Sequence, residues 1–150
     1  MVIARQVEWV SPGALRAERE AFLRWFEQWR ADWESGEAER YLAHYARDFR
    51  SGGMDLAEWR AHKRRVGAAK SWITVAVDNV SLYRDPGQHD MIVATFDQDY
   101  GSSNFSGRSR KRQYWIREEN AWKIAYEAQV ESPKLLLPES FAAGLSRRNR

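Results

Sequence analysis

The chain contains no cysteine. That removes disulfides, thiolate metal sites and any cysteine nucleophile, and it leaves the redox character of the compartment open. Proline is scarce, with four in 150 residues. No apolar run approaches the roughly 20 residues needed to span a bilayer. The opening stretch MVIARQVEWV lacks a signal-peptide core, so an exported protein would carry its signal outside this sequence, and the chain taken as complete would be cytoplasmic. A dominant charge sign is missing too: 24 Lys and Arg stand against 21 Asp and Glu, a net charge of +3. That balance permits an anionic partner without requiring one. The three histidines, His44, His62 and His89, are not spaced as metal ligands, so neither a metal nor another cofactor is expected.

What the chain does have is aromatic side chains: eight Trp, six Tyr and six Phe. Such residues fill cores and also line pockets and interfaces. The length suggests one domain, large enough to bury roughly 70% of its unfolded surface. No internal repeat or low-complexity linker divides it. We expect an extension over residues 1–13, a domain over 14–130 and an irregular basic tail over 131–150, packed through Leu135 to Leu137.

SPGALRAEREAFLRWFEQWRADWESG opens on Ser-Pro and closes on Gly36, a start and a stop for a helix. Phe22, Trp25, Phe26, Trp29 and Trp33 recur at spacings of three and four, so the helix is amphipathic. Tyr41, Leu42, Tyr45 and Phe49 suggest a second, shorter helix ended by RSGG. Asp55 with Glu58 resembles a capping box for a third, whose apolar stripe is Leu56, Trp59 and Val66. After Ser71 the period changes. WITVAVDNVSLY, MIVATFDQDY, RSRKRQYWIRE and AWKIAYEAQ read as strands separated by turns. Three helices followed by about four antiparallel strands make an α+β domain, with helices covering one face of a curved sheet. Such a cone leaves a concavity where pockets form.

This order, with WKI on the last strand, resembles the nuclear transport factor 2-like fold. The blocks YARDFRSGGMDLAEWRAHKRR, FDQDYGSSN, RKRQYW and AWKIAYE, within Glu18 to Gln129, resemble the accessory domain of bacterial L,D-transpeptidase-type cell-wall enzymes. The resemblance implies a periplasmic or cell-envelope module that works with peptidoglycan enzymes, holding a glycan or peptide fragment or a partner domain. Transpeptidase chemistry does not carry over, because it needs the cysteine that is missing. Gln113 stands where an apolar residue is expected.

FDQDYGSSN poses the functional question. Side chains alternate along a strand, so Phe96, Gln98 and Tyr100 share one side while Asp97 and Asp99 share the other. The aromatic side suits the concave face. The acids then face water or the arginines Arg110 and Arg112. Tyr45, Trp59, Gln98, Tyr100 and Tyr126 are candidate pocket residues, with flat apolar bodies and polar tips suited to sugar or peptide fragments. His62, three residues beyond Trp59, is a candidate for the pocket rim, titrating near neutral pH. Trp72 or Trp115 could anchor a homodimer through the uncovered sheet face. The rival reading is an isomerase or dehydratase with Asp97 or Asp99 as base and Tyr100 or Tyr126 as oxyanion donor. A third is nucleic-acid binding through HKRR, RSRKR and the arginines of the tail, for which no recognised motif is present.

Overall fold

The computed structural model describes residues 12–84 and 90–130. His89, the tail from residue 131 with Leu135 to Leu137, and most of the N-terminal extension lie outside the described residues. Helix α1 (Pro12–Glu34) is followed by α2 (Ala38–Leu42), β1 (Tyr45–Ser51), β2 (Met54–Asp55), α3 (Leu56–Ala68), β3 (Ile73–Arg84), β4 (Met91–Ser102), β5 (Ser106–Glu118) and β6 (Ala121–Gln129). The six strands form one sheet in the order β2-β1-β6-β5-β4-β3. Among the described residues no helix is long and apolar enough to cross a membrane.

The α+β class stands, but the sheet has six strands rather than about four. The difference lies in YARDFRS, expected to be helical. The second helix stops at Leu42, and Tyr45 opens β1, which runs parallel to β6. Tyr45 and Phe49, both buried, sit four residues apart, a spacing that fits one helical turn and two strand repeats equally well. The reversal to β2 needs left-handed backbone, and Gly52 (φ 56°) and Gly53 (φ 80°) supply it. The third helix begins as its sequence indicates: Glu58 N donates to Asp55 Oδ1 at 2.9 Å, and Asp55 N donates to Glu58 Oε1 at 3.0 Å.

Helix α1 lays its aromatic stripe on the concave face of the sheet. Phe22 meets Trp115 edge-on at 5.2 Å, Phe26 meets Phe96 at 5.0 Å, and Trp33 lies 5.2 Å from Tyr100. Phe22, Trp29, Phe49, Phe96 and Trp115 are fully buried. Trp115 therefore cannot anchor a dimer on the outer face, whereas Trp72 is 52% exposed. The same helix guards the edge strand β3. Arg30 donates to Val75 O at 2.8 Å and Val75 N donates to Glu34 Oε2 at 2.9 Å, so this backbone pair is not left open to a foreign strand.

Bulges in β3 and β6 set the facing of the side chains beyond them. In β3 the register slips between Asp78 and Ser81, where Asn79 adopts a positive φ of 52°. In β6 Ile124 pairs with Trp115 and Tyr126 with Tyr114, leaving Ala125 as the extra residue. One extra residue reverses the facing of everything beyond it. Trp122 and Ile124 point inward, and then Glu127, rather than Tyr126, is the next buried residue.

We expect Trp115→Ala to lower unfolding stability by about 3–5 kcal/mol, read from the urea midpoint. Trp72→Ala should shift it by less than about 0.5 kcal/mol. Comparable losses in the two variants would contradict the placement of the core.

Candidate functional site

A cavity of ≈490 Å³ opens between the helices and the far end of the sheet. The end of α1 gives Trp33, α2 gives Tyr41, α3 gives His62, Lys63 and Val66, and the sheet gives Gln98, Tyr100 and Lys111. The Lys63 ammonium sits over three rings, 4.8 Å from Trp59, 5.3 Å from Trp33 and 6.0 Å from Tyr41. Those faces attract a cation, but among the described residues no acceptor hydrogen-bonds it. Burial, and then the neighbouring Lys111, lower its pKa from 10.5 to about 8. Lys111 also lies over Trp33, at 5.7 Å.

Glu127 supports this pair from below. It is 2% exposed, and Lys111 Nζ donates to its Oε2 at 3.3 Å, while Gln113 Nε2 donates to Oε1 at 2.9 Å. The Tyr45 hydroxyl lies 3.1 Å from the same Oε1 and 3.0 Å from the Tyr41 hydroxyl, and it receives Trp29 Nε1–H at 3.2 Å. Burial alone would push the carboxyl up. The charges of Lys111 and Lys63, with these hydrogen bonds, outweigh it and hold Glu127 below the ordinary glutamate value. A carboxylate kept ionised in this way is not tuned for proton shuttling near neutrality. Gln113 is thereby accounted for: fully buried, it links Glu127 to Trp115 Nε1–H, which donates to its Oε1 at 2.9 Å.

The candidates from sequence divide. Gln98, Tyr100 and His62 line the cavity. The Gln98 side chain is 4% exposed, and its buried carboxamide oxygen has no hydrogen-bond partner among the described residues, a deficit of about 1–3 kcal/mol. His62 is held below the ordinary imidazole value by partial burial and by Lys63 and Arg65, so it is neutral at physiological pH. Tyr45 and Trp59 are core residues beneath the cavity. Tyr126 is a correction: the bulge at Ala125 turns it onto the outer face, 44% exposed and edge-on to Tyr114 at 5.5 Å. Asp97 and Asp99 lie across the sheet from the cavity. Arg110 donates to Asp97 at 2.9 Å and Arg108 to Asp99 at 2.5 Å. The partner of Asp99 is thus Arg108 rather than Arg112, which pairs with Thr95. Asn79 and Arg110 lower the pKa of Asp97. Among the described residues no cluster of three or more His, Asp and Glu is arranged to hold a metal ion.

Lys63, Lys111 and Glu127 were missed. Lys63 follows Trp59 by four and precedes Val66 by three, so it lies on the apolar stripe of α3, although HKRR reads as a solvated cluster. Lys111 keeps step with Gln113 and Trp115 on the inward side of β5. Glu127 could not be found by alternation, because the bulge reverses it.

Because the folded-state pKa of Lys63 lies below its unfolded value, between about 8 and 10.5 the unfolded chain holds a proton that the folded chain has released. Folding stability should therefore rise with pH through that window, and Lys63→Met should flatten the rise. An NMR titration of the Lys63 amine should give a midpoint near 8, lower still in Glu127→Gln, which removes a supporting anion. A midpoint at the free-lysine value would contradict the enclosed placement.

Comparison with known proteins fits this architecture. Among curated proteins none matches the sequence. Of solved structures, Bd1075 of Bdellovibrio bacteriovorus superposes with a TM-score of 0.73 at 22% identity, over 83% of this chain and 46% of that one. An NTF2-like protein of unknown function from Pseudomonas putida KT2440 gives 0.67 at 13% identity, over 78% and 88%. The helical cell shape determining protein Pgp2 of Campylobacter jejuni gives 0.61 at 19%, over 69% and 37%. The chain thus spans less than half the length of Bd1075 and of Pgp2. At these identities the likeness is one of fold. The family profile of the Cds6 C-terminal NTF2-like domain matches residues 21–128, and the chain belongs to that family.

Proposed function

We propose that this chain is a non-catalytic binding module that holds an acidic sugar–peptide fragment of the bacterial cell wall in its cone cavity, in the service of peptidoglycan enzymes at the cell envelope. The observation that carries the reading is Lys63. A cation with no hydrogen-bond acceptor among the described residues, boxed by Trp33, Tyr41 and Trp59 and facing a cavity of ≈490 Å³, is built to receive an anionic group. Desolvated walls strengthen that attraction. A carboxylated peptide attached to a sugar presents such a group. The fold likeness to a protein named as determining helical cell shape supports a wall-directed role.

The enzyme reading placed its base at Asp97 or Asp99, on the opposite side of the sheet from the cavity and engaged by arginines. The nucleic-acid reading needed a row of free cations on β5, where Arg108 and Arg110 are taken up by Asp99 and Asp97 and Lys111 faces Glu127, leaving Arg112, which is exposed, as the remaining cation of RSRKR.

Isothermal titration of the chain with the disaccharide tetrapeptide of peptidoglycan should show saturable binding. Lys63→Ala should weaken it at least about tenfold, in line with the loss of one charge-assisted hydrogen bond. Tyr100→Ala should weaken it as well, while Asp97→Asn and Asp99→Asn leave it unchanged. Binding indifferent to Lys63→Ala, or a turnover abolished in either Asn variant, would overturn the proposal.

A further inference from the structure

Phe105, at the tip between β4 and β5, is 62% exposed and lies at the mouth of the cavity. An exposed ring on a loose loop would fold back onto apolar surface. This one is fixed. Ser102 N donates to Phe105 O at 2.7 Å, Ser102 Oγ donates to the same oxygen at 3.0 Å, and Phe105 N donates to Ser102 Oγ at 3.1 Å. The tip is in turn fastened to the end of α3. Lys70 Nζ donates to Asn104 Oδ1 at 2.5 Å and to Ser102 Oγ at 3.1 Å, Ser71 N donates to Ser103 Oγ at 2.9 Å, and Ser103 N donates to Trp72 O at 3.2 Å. The helix that carries Lys63 and the loop that carries Phe105 therefore form one frame.

One side of the ring is backed. Tyr100 lies 6.1 Å away between centroids, and a Cβ added at Gly107 would come within 3.3 Å of the ring, so glycine allows the ring to lie down over the strand. A rigid aromatic plane with no polar tip recognises an apolar face. The cavity, at ≈490 Å³, is of modest size for a ligand site, so a fragment whose acidic chain reaches Lys63 extends out past Phe105.

We infer that Phe105 is a fixed stacking platform for the apolar face of a sugar ring, seating the glycan at the cavity mouth while the attached acidic peptide enters toward Lys63. The inference rests on the cavity reading proposed above and adds a determinant of specificity: sugar-bearing fragments are preferred over free peptide.

The test uses the disaccharide tetrapeptide and the sugar-free tetrapeptide as paired probes in isothermal titration. Phe105→Ala should weaken the first roughly five- to tenfold and leave the second unchanged, with Phe105→Trp restoring the difference. The side chain is exposed, so an unaltered thermal midpoint will confirm that Phe105→Ala is folded. Equal weakening of both probes, or of neither, overturns the platform while the cavity reading stands. If the wild-type chain binds neither probe, the cavity reading falls and the platform with it.

Discussion

The cavity depends on a buried carboxylate. Glu127 has 2% of its surface in contact with solvent, and an ionised group in that position persists only if it is paired and hydrogen-bonded. Lys111, Gln113 and the Tyr45 hydroxyl meet that demand. In return the carboxylate makes it tolerable for two lysines, Lys63 and Lys111, to face the same aromatic wall. Without it, the mutual repulsion of Lys111 and Lys63 and the burial of the Lys63 ammonium would stand uncompensated. The route to this arrangement is a single extra residue, Ala125, which brings Glu127 inward.

The sheet then sorts chemistry by face. Its concave side carries Phe96, Gln98, Lys111, Gln113 and Trp115 toward the helices, and its outer side carries a ladder of Asp97, Asp99, Arg108 and Arg110. Exposed pairs of this kind add little stability individually. Their consequence is that the acids of FDQDYGSSN are kept from the cavity while the residues between them define its floor. Helix α1 completes the partition. Its aromatic stripe fills the sealed end of the cone, and only Trp33, at its last turn, reaches the open end.

Much of this could be read from the sequence where one period dominates. The aromatic stripe of α1 is unambiguous because its five large rings repeat at helical spacing. The Asp55 cap is legible because a carboxylate and a glutamate three apart satisfy the first-turn amides. Alternation placed Gln98 and Tyr100 on the correct side of β4. It failed at Tyr126, where a bulge with no sequence signature of its own reversed the strand, and the helical reading of Tyr45 and Phe49 failed because a spacing of four satisfies both periods. Lys63 was hidden differently. Its position on the stripe of α3 is plain, but three cationic or titratable neighbours in HKRR mask the one that turns inward.

The proposed ligand enters the cone over Lys63 and does not bind the outer face. This is tested most directly by amide and side-chain chemical-shift mapping of the isotopically labelled chain during titration with the disaccharide tetrapeptide. Saturating shifts centred on Lys63, Gln98, Tyr100 and Lys111 are expected, with Asp97, Asp99 and Arg110, which do not line the cavity, unmoved. Shifts confined to that outer ladder, or none at saturating ligand, would contradict it.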